Sequence, residues 1–94
     1  MSEIDKYQQL ILPVLKRYFI TRAAIFGSVA KGNANAGSDV DLLIEAGHGF
    51  TLFKMLELEE EISELLKRKV DLVEYSALKS SIKAEVLSSA ITIL

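Results

Sequence analysis

The chain has 94 residues, 50% of them hydrophobic, with 11 Lys+Arg against 13 Asp+Glu for a net charge of -2. That length admits one domain over residues 1–94 and no separate substrate domain, and a chain so short buries only about 60–65% of its unfolded surface. There is no basic excess of the kind a free-standing nucleic-acid binder carries, and without cysteine there are no disulfides, thiolate zinc sites or cysteine nucleophiles.

His48 is the one histidine, which excludes a multi-His metal centre. The apolar fraction is too high for a disordered chain. It is also high for a small monomer, which points to contact with another copy or another protein. The longest early apolar stretch, 10–15, is far short of the roughly 18 residues a membrane span needs. Glu3 and Asp5 stand where a signal peptide carries positive charge, so a cytoplasmic chain with no membrane segment is expected.

Ile4, Tyr7, Ile11, Val14, Leu15 and Tyr18 recur at helical spacing and predict a first helix over 4–19. Ser2 is its expected N-cap, with Asp5 in the capping-box position. Pro13 predicts a kink, or two pieces joined near Leu12. The short run 22–26, stopped by Gly27, predicts a buried strand. Gly27-Ser28 then opens one or two helical turns over 29–31, with Ser28 near the cap. Residues 32–38 are turn chemistry, 39–44 a second strand, and 47–49 a loop that leaves His48 structural or solvated.

The spacing next predicts a helix over 51–69. Leu52, Met55, Leu56, Ile62 and Leu66 form its stripe, Phe53 and Leu65 edge it, and Glu57, Glu59, Glu60, Glu61 and Glu64 form its wet face. A third strand is expected over 70–73. A last helix follows over 79–90, with Ile82, Val86 and Ala90 inward, and then a short tail. Helix, strand, strand, helix, strand, helix predicts an α/β fold, a small mixed sheet with helices packed against it.

Aspartate is depleted in strands, yet Asp39 and Asp41 open an apolar one. Alternation puts both on one face and gives Val40, Leu42 and Ile44 to the other. Two carboxylates so placed are either a wet strand end or a hard-oxygen site for a divalent cation such as Mg²⁺. Asp71, a third carboxylate inside an apolar strand, favours the cation site if the two strands are neighbours. Gly27 lets backbone N–H groups approach an anion. The Ser28 hydroxyl can donate to a phosphate, and Lys31 can reach the same phosphate as a point charge. An ordinary turn and cap is the alternative for Gly-Ser, and a solvated side chain is the alternative for Lys31. Tyr7, Tyr18 and Tyr75 are read as packing residues.

Gly27-Ser28, a ten-residue spacer, Asp39-Val40-Asp41 and the later Asp71 together resemble the nucleotidyltransferase superfamily that includes DNA polymerase beta. The similarity is greatest to the minimal nucleotidyltransferases, through 26–34 and 37–44, and it covers nearly the whole chain. The resemblance implies the polymerase beta-like fold. It also implies transfer of AMP from ATP, with two Mg²⁺ ions held by Asp39, Asp41 and Asp71. Asp71 then helps deprotonate the acceptor hydroxyl, while Gly27, Ser28 and Lys31 hold the triphosphate. Lys31 stands where many members carry arginine, so the charge is kept and the planar fork lost. Such proteins are frequently antitoxins of a helical HEPN-type ribonuclease toxin, modified on a tyrosine. The alternatives are a binding-only antitoxin, for which three strand carboxylates have no purpose, and a small-molecule nucleotidyltransferase, for which the chain has no acceptor domain.

Overall fold

Ser2 opens the first helix as its sequence predicts. Its hydroxyl accepts from the Asp5 N–H at 3.1 Å, and its own N–H donates to the Asp5 carboxylate at 3.4 Å. In the computed structural model, which describes residues 2–35 and 37–94, this helix (α1) runs Glu3–Arg17 as one element, with Pro13 inside it. Two separate pieces are therefore not formed. Pro13 and Gln9, one turn earlier, are both exposed, so water can satisfy the carbonyl that the proline leaves unpartnered.

The elements that follow are β1 (Ile20–Phe26), α2 (Gly27–Lys31), β2 (Val40–Ala46), α3 (Leu52–Leu66), β3 (Val70–Glu74), a 3₁₀ turn (Tyr75–Ala77), α4 (Ser80–Ser89) and β4 (Ile91–Thr92). The sheet order is β3-β2-β1-β4. β1 runs antiparallel to β2 and β4, and β2 runs parallel to β3. The sheet is mixed, with the helices packed against it, as expected. Among the described residues no helix is long and apolar enough to cross a membrane.

The tail after α4 is a correction to the sequence expectation. Ile91 and Thr92 pair with Ile25 and Ala24 as a fourth strand. Beyond it the Ala23 N–H donates to the Leu94 carbonyl at 3.1 Å, the Ile93 N–H donates to the Ala23 carbonyl at 2.9 Å, and Ile93 is buried. Without these residues β1 would show its unpaired backbone to solvent as a sheet edge.

One face of the sheet carries the main core. Ile11, Val14 and Leu15 of α1 and Leu58, Ile62 and Leu66 of α3 meet Ile25, Val40, Leu42, Ile44, Val70 and Leu72. The other face is thinly covered. Ala24, Leu43 and Tyr75 form its buried cluster, with Val86 of α4 and Ala90 at its C-cap packed against them. No residue of α4 is fully buried, and Ile82, expected inward, is exposed. The helix meets the sheet through its C-terminal half.

Helix α3 buries part of the stripe its spacing suggested, Ile62 and Leu66 with Met55 at the edge, but exchanges Leu52 and Leu56 for Leu58. Leu58 is fully buried, whereas Leu52 and Leu56 are 71% and 54% exposed and Phe53 is also exposed. The helix holds more apolar residues than one stripe can take, and periodicity alone does not choose among them. Contact with α1 and the sheet selects 58, 62 and 66, with Met55 packed at their edge. The helix also ends at Leu66, not Lys69, because Lys67 turns left-handed at φ 54° and its N–H caps the Ser63 carbonyl. We expect Leu58→Ala to destabilise the fold by about 2–5 kcal/mol and Leu56→Ala by about 0.5 kcal/mol or less. Urea unfolding of the two variants checks the assignment, and equal losses would reverse it.

Candidate active site

Strand alternation assigns Asp41 and Asp71 to the thinly covered face of the sheet, on the parity of Leu43 and Val73. The parallel register sets Asp41 directly beside Asp71, and the antiparallel register sets Phe26 on its other side. Two carboxylates expected from sequence are thus brought together by strand pairing. Asp39 lies one residue before β2 and is close enough for its charge to act on Asp41. Burial pushes the Asp41 carboxyl above the usual carboxylate range, and the charges of Asp71 and then Asp39 push it further the same way. The ammonium of Lys69 comes to 3.9 Å from Asp39, but both side chains are well exposed, so it relieves little of this repulsion.

Gly27 meets this cluster from the β1–α2 junction. Its φ is +72°, and a Cβ built there would collide with the Asp41 carboxylate and lie 3.2 Å from its Cγ. Glycine is required here by conformation and by space together. Phe26, not Ser28, occupies the N-cap of α2. Ser28 sits inside the first turn, and its hydroxyl makes no hydrogen bond to a described residue. That leaves the hydroxyl free to donate to a ligand. Lys31 ends α2 and lines a shallow cleft with Ser2, Glu3 and Ile4. His48 is exposed in its loop.

At the far end of the same face Tyr75 is buried, with the Arg22 guanidinium 4.1 Å from its ring centre. Among the described residues no three His, Cys, Asp or Glu side chains form a ready-made metal cluster. The donor set nonetheless suits a hard cation. All three groups are carboxylates, and two are adjacent in register. The centre of the group carries mutual repulsion that a divalent ion relieves. Arg68, which was not singled out from the sequence, ties the loop before Asp39 to α1. The signal available was an arginine between Lys67 and Lys69, just ahead of the 70–73 strand.

The family model "Polymerase beta, Nucleotidyltransferase" matches residues 9–94. The protein adenylyltransferase MntA of Thermococcus cleftensis is 40% identical over 76 residues, which cover 81% of this chain and 77% of that protein. A solved structure described in provisional terms as a minimal nucleotidyltransferase is 33% identical, with a TM-score of 0.82 over 94% of this chain and 90% of its own. A Shewanella oneidensis complex of a tri-AMPylated HEPN toxin with its MNT antitoxin has a matching chain with a TM-score of 0.74. At 17% identity, over 96% of this chain and 71% of that one, it shares the fold. The match over 9–94, together with a sheet that sets Gly27, Asp41 and Asp71 side by side, places this chain in the polymerase beta nucleotidyltransferase family.

Proposed function

We propose that this chain is an antitoxin that transfers AMP from ATP to a tyrosine hydroxyl of a cognate helical HEPN-type toxin. The carrying observation is the register that pairs Asp41 with Asp71 while Gly27 abuts Asp41. The names of the relatives support the protein acceptor, and the AMPylated toxin in the Shewanella complex supports the group transferred.

The acceptor oxygen attacks the α-phosphorus in line. A new P–O bond forms, the bond to the bridging oxygen breaks, and pyrophosphate leaves. Asp71 takes the hydroxyl proton. Gly27 leaves room for the triphosphate beside Asp41, and the Ser28 hydroxyl and the first N–H groups of α2 donate to its oxygens. Lys31 adds a point charge from the end of α2. Asp39, Asp41 and Asp71 would hold two Mg²⁺ ions, which neutralise charge on the attacking and leaving oxygens when bound. Residues 1–94 act as one minimal domain. Positioning of the tyrosine falls to the docked toxin, which can hold its hydroxyl within reach of the α-phosphorus. The setting is the cytoplasm, where ATP is supplied.

The test is co-expression with the product of the neighbouring gene, followed by intact-mass measurement of that partner. The expected result is a stable complex and one adenylyl mass added per modified tyrosine. A stable complex whose partner stays unmodified in excess ATP and Mg²⁺ would establish a binding-only antitoxin instead. The dependence on metal has its own expected outcome. ATP should raise the melting temperature only when Mg²⁺ or Mn²⁺ is present, since the cation must offset both the carboxylates and the phosphates. An equal rise in excess chelator would place ATP elsewhere.

A further inference from the structure

Asp41 is flanked by a hydrogen-bonded strand on each side, but Asp39 precedes the ladder. The segment leading into it is held by Arg68. The Arg68 Nη2 donates to the Ser38 carbonyl at 2.6 Å and to the Asn35 carbonyl at 2.9 Å. The Ser38 carbonyl belongs to the same rigid peptide as the Asp39 N–H. The Arg68 Nη1 donates to the Tyr7 hydroxyl at 2.9 Å and reaches the Glu3 carboxylate at 3.4 Å. The guanidinium therefore links α1 to the loop before the carboxylates, and its side chain is only 12% exposed.

Both ends of this link are themselves anchored. In the loop, the Ser38 N–H donates to the Asn35 carbonyl at 3.0 Å and the Gly37 N–H to the Asn35 side chain at 2.9 Å. Beside Arg68, Lys67 caps α3 in the left-handed region, and the Val40 N–H donates to the Lys69 carbonyl at 2.9 Å. Only a planar fork makes all of these contacts at once; an ammonium is a point charge without that geometry.

We infer that Arg68 is a positioning residue of the transfer site, fixing the peptide that enters Asp39 so that its carboxylate is presented beside Asp41. The inference rests on the proposed role of Asp39 as a metal-holding carboxylate. Arg68 acts through the backbone and touches neither metal nor nucleotide.

The test uses the full chain with its toxin partner and compares Arg68→Met, Arg68→Lys, Tyr7→Phe and Asp39→Asn. Arg68→Met is expected to raise the half-saturating Mg²⁺ concentration and lower kcat by about tenfold or more, the scale seen for groups that orient metal ligands. KM for the toxin should be unchanged. In the metal-free chain, hydrogen exchange at the Ser38 and Val40 amides should speed up. Arg68→Lys should show a smaller loss in the same direction, and it carries the test if the methionine variant does not fold. Tyr7→Phe should lower the melting temperature while keeping the wild-type Mg²⁺ dependence. If Asp39→Asn is inactive but both Arg68 variants keep wild-type Mg²⁺ dependence, the inference fails and the site assignment stands. It fails equally if Tyr7→Phe shifts the Mg²⁺ dependence as far as Arg68→Met. Full transfer by Asp39→Asn overturns the underlying site assignment and the inference with it.

Discussion

Replacing Asp41 by asparagine is expected to cut adenylyl transfer by about 10³-fold or more, the scale for a group that acts in the transition state, and to leave the fold intact. The side chain keeps its size and loses its charge. In the metal-free protein that charge is unfavourable, because burial and the neighbours Asp71 and Asp39 all oppose ionisation. The melting temperature of the metal-free variant should therefore equal or exceed that of wild type. Asp39→Asn and Asp71→Asn should lose transfer similarly.

The same shift sets a pH dependence. The folded protein holds the Asp41 proton to higher pH than the unfolded chain does, so stability from this group is present below the unfolded carboxylate pKa. It is lost as pH rises through the raised folded value. Metal-free wild type should gain melting temperature from this group on acidification through that window, and Asp41→Asn should lack the gain. Thermal melts across pH, paired with transfer assays, check both halves. Normal transfer by the variant, or its unfolding at neutral pH, would falsify the assignment of Asp41.

Gly27→Ala should be nearly as damaging, by a different route. The alanine takes a left-handed φ at a cost of about 1–2 kcal/mol, and its methyl collides with the Asp41 carboxylate. Either the carboxylate moves away from Asp71 or the β1–α2 junction opens. A loss of transfer of about 10²-fold or more is expected, the scale on which small misplacements at a reacting centre are felt, together with a lower melting temperature. Gly32→Ala is the matched control. Its φ is +76°, but nothing lies within 4 Å of the new methyl, so it should show the left-handed strain alone, about 1–2 kcal/mol, and near wild-type transfer. A double-mutant cycle isolates the collision. In an Asp41→Ala background the stability cost of Gly27→Ala should shrink, because the carboxyl group that the methyl strikes is gone. An unchanged cost would mean that the backbone conformation, not the contact with Asp41, makes glycine necessary.

The amino-acid sequence by itself determined the local features. Ser2 and Asp5 dictate the capping box, because both partners lie within one helical turn. Gly27 ends β1 and starts α2, and the alternation of Val40, Leu42 and Ile44 against Asp39 and Asp41 divides core from site. The candidate-site residues Gly27, Asp39, Asp41 and Asp71 stand out in the sequence because each breaks the local rule of its segment. Polar or conformationally special residues in apolar strands stand out wherever the rest of the fold lies.

Tertiary structure decided the choices that periodicity leaves degenerate. An α3 with more apolar residues than one stripe can take could bury several stripes, and packing against α1 and the sheet chose Leu58 over Leu52 and Leu56. The tail became β4 only because the edge of β1 was free to pair with it. Asp41 and Asp71 became neighbours only through the parallel register of β2 and β3, a contact between residues thirty positions apart that no short window contains. Arg68 stayed hidden for the same reason. Its partners Glu3, Tyr7, Asn35 and Ser38 come from two distant stretches of chain, and nothing in an isolated arginine tells whether its guanidinium meets water or a carbonyl. Local backbone chemistry acts over a few residues and can be read from them, whereas the partners of a side chain across the fold exist only once the sheet has closed.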